Sequence, residues 1–535
     1  MWSGKFLSDN NTEETTLRVL TAIFSIFIAL LIVSCREKTP NPNVNLRLED
    51  FSSIRNDTYA LSSRRLQREI RSVAASDSDS TLADFYARSF YLNGRPYIWV
   101  SRKGVTQEAD TLVEWLRTVR HLGFDAEKFR LSDIEADLTR ARALDFHDGR
   151  YNINKVYARL EYNLTKALFR YSAGQRFGYT NPNVLLNSLD KRDGSEAYVT
   201  LYDLKSPAAG KRFFLEAARQ VSIDSLGVFL RESEPQDPLY KRFESILNSD
   251  SATLVNRRLL LINMERCRWR VADTPWRHEK YVMVNLPSLH LMAVDGAEVL
   301  TMRIGCGSLK TKTPLLASSI KRLDINPQWI MPRSIVKKSI IPRLGNKWYF
   351  QSRHYFIRDR ATGQDIEPWN ASPAALLDGS QLAIQEGGEG NALGRIIFRF
   401  DNDFSIYLHD TSSRDVFGRS DRDVSHGCIR VEKPFALAAF IVGKNDGKTI
   451  DRIWYSIHAD VSPLGKDRDK LTDEEKAVAD TLNRKRLIGR VPVKHSVPVF
   501  IWYYTLFPGV DGRLETYQDL YGYDEVIYNQ LRNYL

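Results

Sequence analysis

Apolar and polar positions alternate through residues 281–308, YVMVNLPSLHLMAVDGAEVLTMRIGCGS, and Asp295-Gly296 supplies a turn signal between two strand-like runs. A second hairpin is predicted over 396–411, IIFRFDNDFSIYLHDT, turning around Asn402-Asp403, and a last strand over 497–507, VPVFIWYYTLF. Helical spacing appears elsewhere. In 110–122 the apolar residues Leu112, Val113, Leu116, Val119 and Leu122 share one face. A longer amphipathic run covers 154–174 and is expected to end at a C-cap on Gly174. Residues 471–485 read as a helix whose Thr472 and Glu475 form a capping box.

These patterns predict an α+β protein: a mainly helical domain over 79–265, a β-rich domain over 266–465, and a tail, 466–535, whose helix and strand pack on that core. The β-rich part is interrupted at 338–381 by a stretch rich in turn formers, which reads as a functional excursion. Residues 36–78, with TPNPN and ASDSDS, are polar and read as a tether. The apolar run before them, 19–34, is short of the ~20 residues that a membrane span needs and within reach of a signal-peptide core. Its end, Ile32-Val33-Ser34-Cys35, resembles a bacterial lipobox, in which cleavage leaves Cys35 as a lipidated first residue. An uncleaved anchor helix is the other reading. Either way the remainder is expected outside the cytoplasm, as a membrane-anchored, periplasm-facing part of the cell envelope.

Composition narrows the classes. The 535 residues call for two or three domains, and 43% hydrophobic with 27% charged residues is ordinary for folded protein. The net charge of +10 suits anionic lipid, an acidic polymer or nucleic acid. No zinc-finger spacing or RNP-like segment appears, so nucleic acid is not expected and the cell wall is the natural partner. The four cysteines, 35, 267, 306 and 428, form neither a disulfide framework nor a CxxC pair.

Candidate chemistry sits in VSHGCIRVE, 424–432. A cysteine nucleophile needs a base or positive site that favours the thiolate, and N–H donors for the oxyanion of an attacked carbonyl. Gly427 permits a tight turn that points the amides of Gly427 and Cys428 at one oxygen. His426 is two residues away and would point elsewhere in an extended chain. His409, nineteen residues upstream at the end of FSIYLH, can lie beside Cys428, so it is the expected base and His426 a secondary polar group. An inert core cysteine and a zinc triad of His409, His426 and Cys428 are the alternatives.

IYLHDT followed by SHGCIR resembles the signature of the L,D-transpeptidases with a YkuD-type catalytic domain. NMERCRW (263–269), VNLPSLHL (284–291), KTP (312–314), INPQWIMPRSI (325–335), NALGRIIFRF (391–400) and the tail 497–524 follow in the order of the large YcbB-like class, and the helical 79–265 resembles its scaffold domain. The resemblance implies that Cys428 attacks the third residue of a peptidoglycan stem peptide, releasing D-alanine and forming a thioester. The amine of another stem then makes a 3→3 cross-link. His409 is implied as base, Gly427 and Cys428 as oxyanion donors, and Tyr407, Trp329, Arg430, Ser425 and Asn391 as substrate contacts. For Arg430 a structural salt bridge is the other reading. Segment 338–381 matches the class's capping subdomain, implied to keep water from the thioester. Carbapenems are implied inhibitors, and no cofactor or metal is needed. Water as acceptor would give a carboxypeptidase and a free D-amino acid an exchange reaction; a non-catalytic wall-binding lipoprotein is a further alternative. The sequence departs from the class in three places. No peptidoglycan-binding module precedes NMER, QEGGEG (385–390) lacks the class's proline, and Cys267 stands where tryptophan is usual. A Cys267–Cys306 disulfide is conceivable in an oxidising compartment.

Overall fold

The computed structural model describes residues 58–147, 149–192, 194–249, 256–464 and 468–535. The expected signal peptide, Cys35 and the tether as far as residue 57 lie outside these residues. The described residues form two compact units: those from 58 to 120 with those of 125–171 and 211–231, and those of 121–124 with those of 172–210 and 232–535. The helical segments 172–177, 182–186, 238–247 and 257–268 thus fall in the same unit as the strands from Lys280 onward.

The first unit corrects the extent of the tether. Ser62 caps helix α1 (Ser63–Ser76), and Leu66, Ile70 and Ala74, spaced four apart, are buried. The acidic loop after it is anchored as well. Lys166 Nζ lies 2.6 Å from both Asp77 and Asp79, and Arg170 Nε lies 2.6 Å from Asp84. Locally the loop reads as solvated linker because its cationic partners come 89 residues later. Helix α2 (Leu82–Leu92) opens with a Thr81/Asp84 capping box. Helix α3 (Glu108–Thr118) tightens to a 3₁₀ turn over Val119–Leu122, and α4 (Leu131–Ala143) precedes the long α5 (Ile153–Phe177).

Gly174 is not the C-cap expected of it. Helix α5 runs through it, and the chain leaves the helix at Gly178, φ +93°. A Cβ at Gly174 would lie 2.1 Å from the Tyr179 ring. The glycine serves a close approach, which local sequence does not distinguish from a cap.

In the second unit, α6 (Pro238–Leu247) and α7 (Arg257–Arg268) precede the strands. The predicted alternation folds as β1 (Lys280–Asn285), β2 (His290–Asp295) and β3 (Glu298–Gly307), with Gly296 at φ +56° in the second turn. Next come β4 (Leu315–Ile325) and a separate small sheet of β5 (Trp329–Ile330), β6 (Tyr355–Asp359), β7 (Asp365–Ile366) and β8 (Gln381–Gln385). Then follow β9 (Ile396–Phe400), β10 (Leu408–His409), β11 (Asp423–Ser425), β12 (Ile429–Val431) and β13 (Arg490–Trp502).

Pairing runs β9-β10-β12-β3-β2-β1-β13-β4, and β4 pairs back onto β9. Eight strands therefore close on themselves and leave no free edge in the ring. The predicted last strand begins earlier and ends earlier than 497–507. It sits between β1 and β4, with a register break between Pro492 and Val497, and Leu506–Pro508 turns into a separate hairpin. The predicted helix is shorter, Asp473–Thr481, with the Thr472/Glu475 capping box in place.

The excursion is wider than 338–381 and is ordered around its own core. Met331, Val336, Ile340, Phe350, Ile357 and Leu376 are buried together. Its ends are neighbours: Ile330 pairs with Ile384, and the Met331 N–H donates to the Ala383 carbonyl at 2.9 Å. Short strands and one-turn helices give it no visible periodicity in sequence. Cys267 and Cys306 are buried and free, so the conceivable disulfide is not formed.

Gly174→Ala is expected to destabilise the protein by about 1–3 kcal/mol, because overpacking against Tyr179 outweighs the ~1 kcal/mol of added helix propensity. Tyr179 is pinned by Gln175, which donates to its hydroxyl at 3.1 Å. Thermal unfolding checks this; an unchanged or raised Tm would mean that the ring yields freely.

Candidate active site

The segment Val424–Val431 reverses between two strands that both pair with β3. Strand β11 runs parallel to β3, with Ser425 opposite Gly307, and β12 runs antiparallel, with Arg430 opposite Gly305. Gly427 makes the reversal at φ +112°, where an added Cβ would lie 2.9 Å from Ile406 Cδ1. Hydroxyl groups lace the turn. Ser425 Oγ accepts the Gly427 N–H at 3.1 Å and donates to the Cys428 carbonyl at 2.6 Å. Thr311 Oγ1 donates to the Ser425 carbonyl at 2.8 Å, and Thr313 Oγ1 to the Gly427 carbonyl at 2.8 Å. Thr313 is held in turn by Tyr521, whose hydroxyl accepts the Thr313 N–H at 3.1 Å and donates to the Gly307 carbonyl at 2.7 Å.

Two expected roles change here. The Gly427 amide is occupied by Ser425, so it is not an oxyanion donor in this arrangement. The Cys428 amide has no hydrogen-bond partner among the described residues, so its N–H is left available to an acceptor. Ser425 is buried, and its hydroxyl is engaged on both sides within the turn, so it shapes the loop that carries Cys428.

Strand β10 lies parallel to β12, with Leu408 opposite Ile429 and His409 opposite Arg430. Side chains alternate along a strand. Leu408 and Ile429 are fully buried on one face, and Tyr407, His409, Cys428 and Arg430 fall on the other. The Tyr407 and His409 rings meet edge-on at 5.7 Å. His409 is buried, and its Nδ1 contacts the Asp410 carbonyl. A carbonyl only accepts, so the proton is assigned to Nδ1 and Nε2 is the basic nitrogen. Burial pushes His409 down to about 4, helped by the Arg430 charge and opposed by the carbonyls of Asp410 and Leu393. The imidazole is neutral at neutral pH.

Cys428 is half-buried. Burial pushes its thiol above the ordinary value, opposed by the backbone N–H and phenol of Tyr407 and by Arg399 and Arg430. Its Sγ donates to the Ser405 carbonyl at 3.7 Å, and among the described residues no hydrogen bond joins it to His409. The structure therefore brings the two onto one face without closing the pair. Tyr407 is the group against the sulfur. Burial, and then the charge that Cys428 can carry, raise the Tyr407 phenol, so it remains a donor. The Arg399 guanidinium lies 4.7 Å from the Tyr407 ring centre and pairs with Asp324 at 2.9 Å. Arg430 makes no salt bridge among the described residues, and its Nε is buried without a partner. The salt-bridge reading of Arg430 is not realised.

The remaining expected residues make no hydrogen bond with Cys428 or His409 among the described residues. His426 is exposed, and the described residues hold no group of three His, Cys, Asp or Glu side chains placed to bind a metal. Asn391 is buried and braces its loop. Its amide donates to Glu386 and Pro327 carbonyls at 2.7 and 3.2 Å, and its Oδ1 accepts the Leu393 N–H at 2.8 Å. Trp329 lies on β5 and packs on the core of the inserted sheet. Thr313 and Tyr521 were not singled out from the sequence. Both lie in segments that resemble family blocks, KTP and the tail, but no local pattern marks a hydroxyl that braces a turn more than 100 residues away.

Residues 279–452 match the YkuD L,D-transpeptidase catalytic domain, and residues 80–247 match the Scaffold domain. The chain carries a YkuD-type L,D-transpeptidase catalytic domain. Its order, scaffold before catalytic domain, is the YcbB-like architecture. A Haemophilus influenzae protein named "Putative L,D-transpeptidase" is 26% identical over 248 residues, 46% of this chain and 45% of that protein. The match spans about half the length of this curated relative. The catalytic-domain match ends at 452, whereas β13, which closes the ring, begins at Arg490.

A neutral thiol beside a neutral imidazole sets the reactivity of Cys428. Its alkylation by iodoacetamide, followed by intact mass against pH, is expected to titrate above the ~8.5 of a free cysteine. A midpoint near 7 or below would mean a preformed thiolate–imidazolium pair.

Proposed function

We propose that the protein is a peptidoglycan L,D-transpeptidase that forms 3→3 cross-links through a thioester on Cys428. The observation that carries this is the single sheet face shared by Tyr407, His409, Cys428 and Arg430. Rotation of the Cys428 side chain away from Ser405 would bring Sγ toward Nε2 of His409. As sulfur attacks the carbonyl of the third stem residue, His409 takes the thiol proton. The Cys428 amide receives the developing oxyanion, and His409 returns the proton to the departing D-alanine amine. The acceptor amine then attacks the thioester carbonyl and gives a proton to His409, the C–S bond breaks, and His409 returns that proton to the departing Cys428 sulfur. Arg430, which makes no salt bridge among the described residues and whose Nε is buried without a partner, suits an anionic group of the stem peptide.

The lipobox-like Ile32-Val33-Ser34-Cys35 supports a lipid anchor on Cys35 and a periplasm-facing protein. The inserted sheet is read as a cap that keeps water from the thioester, since an amine must outcompete water as acceptor. Carbapenems are expected to acylate the same thiol. Carboxypeptidase and D-amino-acid exchange activities share every group named here and differ only in the acceptor.

Purified protein incubated with tetrapeptide muropeptides is expected to yield dimers by mass spectrometry, abolished in Cys428→Ala and reduced by at least ~100-fold in His409→Ala. Dimers made by the Cys428→Ala protein would sink the mechanism. In wild type the acid limb of kcat/KM should lie near the His409 value of about 4, since the base is active once deprotonated; a limb at the ordinary ~6.5 would contradict a buried neutral imidazole. A variant in which a short linker joins Met331 to Ala383 should shift products from dimers to hydrolysed tripeptide. An unchanged ratio would remove the cap role.

A further inference from the structure

The sheet face that carries Tyr407 and His409 continues past them, and its charge does not balance. Strand register extends it in two rows. His409 lies opposite Ile397 on β9, Ile397 opposite Asp324 on β4, and Asp324 opposite Arg490 on β13. Beside that row, Arg399 on β9 lies opposite Arg322 on β4, and the Arg399 guanidinium sits over the Tyr407 ring. Cross-strand partners share a face, so three arginines follow the reacting face outward from its tyrosine and histidine. Strands β4, β9 and β13 contain one carboxylate, Asp324. Their two lysines are engaged elsewhere, Lys321 with Asp401 and Lys494 with Asp446.

Asp324 does not neutralise the cluster. Arg399 Nε donates to its Oδ2 at 2.9 Å, Arg322 Nε lies 2.9 Å from its Oδ1, and Arg490 stands off at 3.9 Å. Three guanidinium groups thus share one carboxylate. Like charges directly opposite each other on a sheet are destabilising, so Arg399 against Arg322 is a standing cost that a further anion would relieve. The groups are reachable: the side chains of Arg399, Arg322 and Arg490 are 37%, 40% and 70% exposed. Arg399 donates through Nε alone, and the Arg490 side chain makes no hydrogen bond among the described residues. The free forks match the geometry of a carboxylate.

Position assigns the ligand. In the mechanism proposed above, the departing and the attacking amine both exchange a proton with His409, so amine-bearing groups come to the His409 side of the sulfur. Strands β9 and β4 continue on that side, away from β12 and Arg430. From β10 to β4 is two strand spacings, about 10 Å, or about three extended residues. An acceptor whose amine is at His409 therefore meets the arginines with groups up to about that distance along its chain. We propose that Arg399, Arg322 and Arg490 hold the carboxylates of the acceptor stem peptide, so that acceptors with free carboxylates are used in preference to amidated ones. This rests on the transpeptidase reading of Cys428 and adds to it the chemistry of the second substrate.

The test uses the full chain, with acylation of Cys428 by a tetrapeptide donor followed by intact mass. Two acceptors are then compared: a diaminopimelate stem tripeptide with free carboxylates, and the same tripeptide with those carboxyls amidated. Wild type is expected to form dimer from the free acid about tenfold faster at low salt, with the preference shrinking as ionic strength rises. Arg490→Gln should lower the preference several-fold by raising the acceptor KM with kcat little changed, and Arg490→Glu should abolish it. Equal use of both acceptors by wild type, or a full preference in Arg490→Glu, would overturn the subsite. An equal loss in the acylation step would place the arginines on the donor and overturn the acceptor assignment. No acylation of Cys428 by the donor would sink the transpeptidase reading and the subsite with it; acylation followed by indifferent use of the acceptors would sink the subsite alone.

Discussion

The register between β10 and β12, Leu408 opposite Ile429 and His409 opposite Arg430, is the constraint on which the site depends. A slip of one residue would turn His409 into the core and bring Leu408 to the reacting face. Both strands lie inside the ring. The other edge of β10 pairs with β9 through Ile397–His409 and Phe398–Leu408, and the other edge of β12 pairs with β3 through Arg430–Gly305. The register is thus held from two sides, and the buried Leu408 and Ile429 would both have to reach solvent for it to move.

Given that register, the electrostatics of the face follow. Arg399 and Arg430 favour a thiolate at Cys428 and disfavour an imidazolium at His409. Burial opposes charge on both. The outcome is a site whose two reacting groups are uncharged at rest, while fixed cations wait around them. These cations stabilise negative charge on the sulfur more than they stabilise the neutral thiol, so in the proposed mechanism their effect falls on the transfer. Tyr407 adds a donor against the sulfur, kept protonated by the same burial.

Much of this could be read from residue patterns, and the failures have a common cause. The β1–β3 hairpins follow from alternation and Gly296, and the C-terminal helix from its Thr472/Glu475 box, because both are local rules. VSHGCIRVE marks the turn that carries Cys428, and the placing of His409 on the same face as Cys428 follows from side-chain direction in an extended chain. The misread parts depend on distant partners. The ASDSDS loop needs Lys166 and Arg170, and Gly174 needs the Tyr179 ring. Ser425, Asn391 and Gly427 carry the polar groups that a substrate site requires. Their hydrogen bonds turn out to be used inside the protein, to hold the loops that present Cys428. Composition alone does not tell a group that binds substrate from one that braces the backbone.

The catalytic fold is longer than the segment that bears its signature. Strand β13 lies beyond the family match, yet without it β1 and β4 would both present open edges. Beyond β13 the chain supplies Tyr521, whose hydroxyl ties the Gly307 carbonyl to the Thr313 amide, and Thr313 holds the Gly427 carbonyl. The Tyr503 hydroxyl in turn accepts the Tyr521 N–H at 2.8 Å. A hydrogen-bonded path therefore joins the last strand's end to the turn that carries the nucleophile. The shape of that turn is set by four elements distant in sequence: the β10 register, the β3 edge, the Thr311–Thr313 loop and the C-terminal tyrosines. Together they set the turn in which, among the described residues, the Cys428 amide is unpaired and its side chain shares a face with His409.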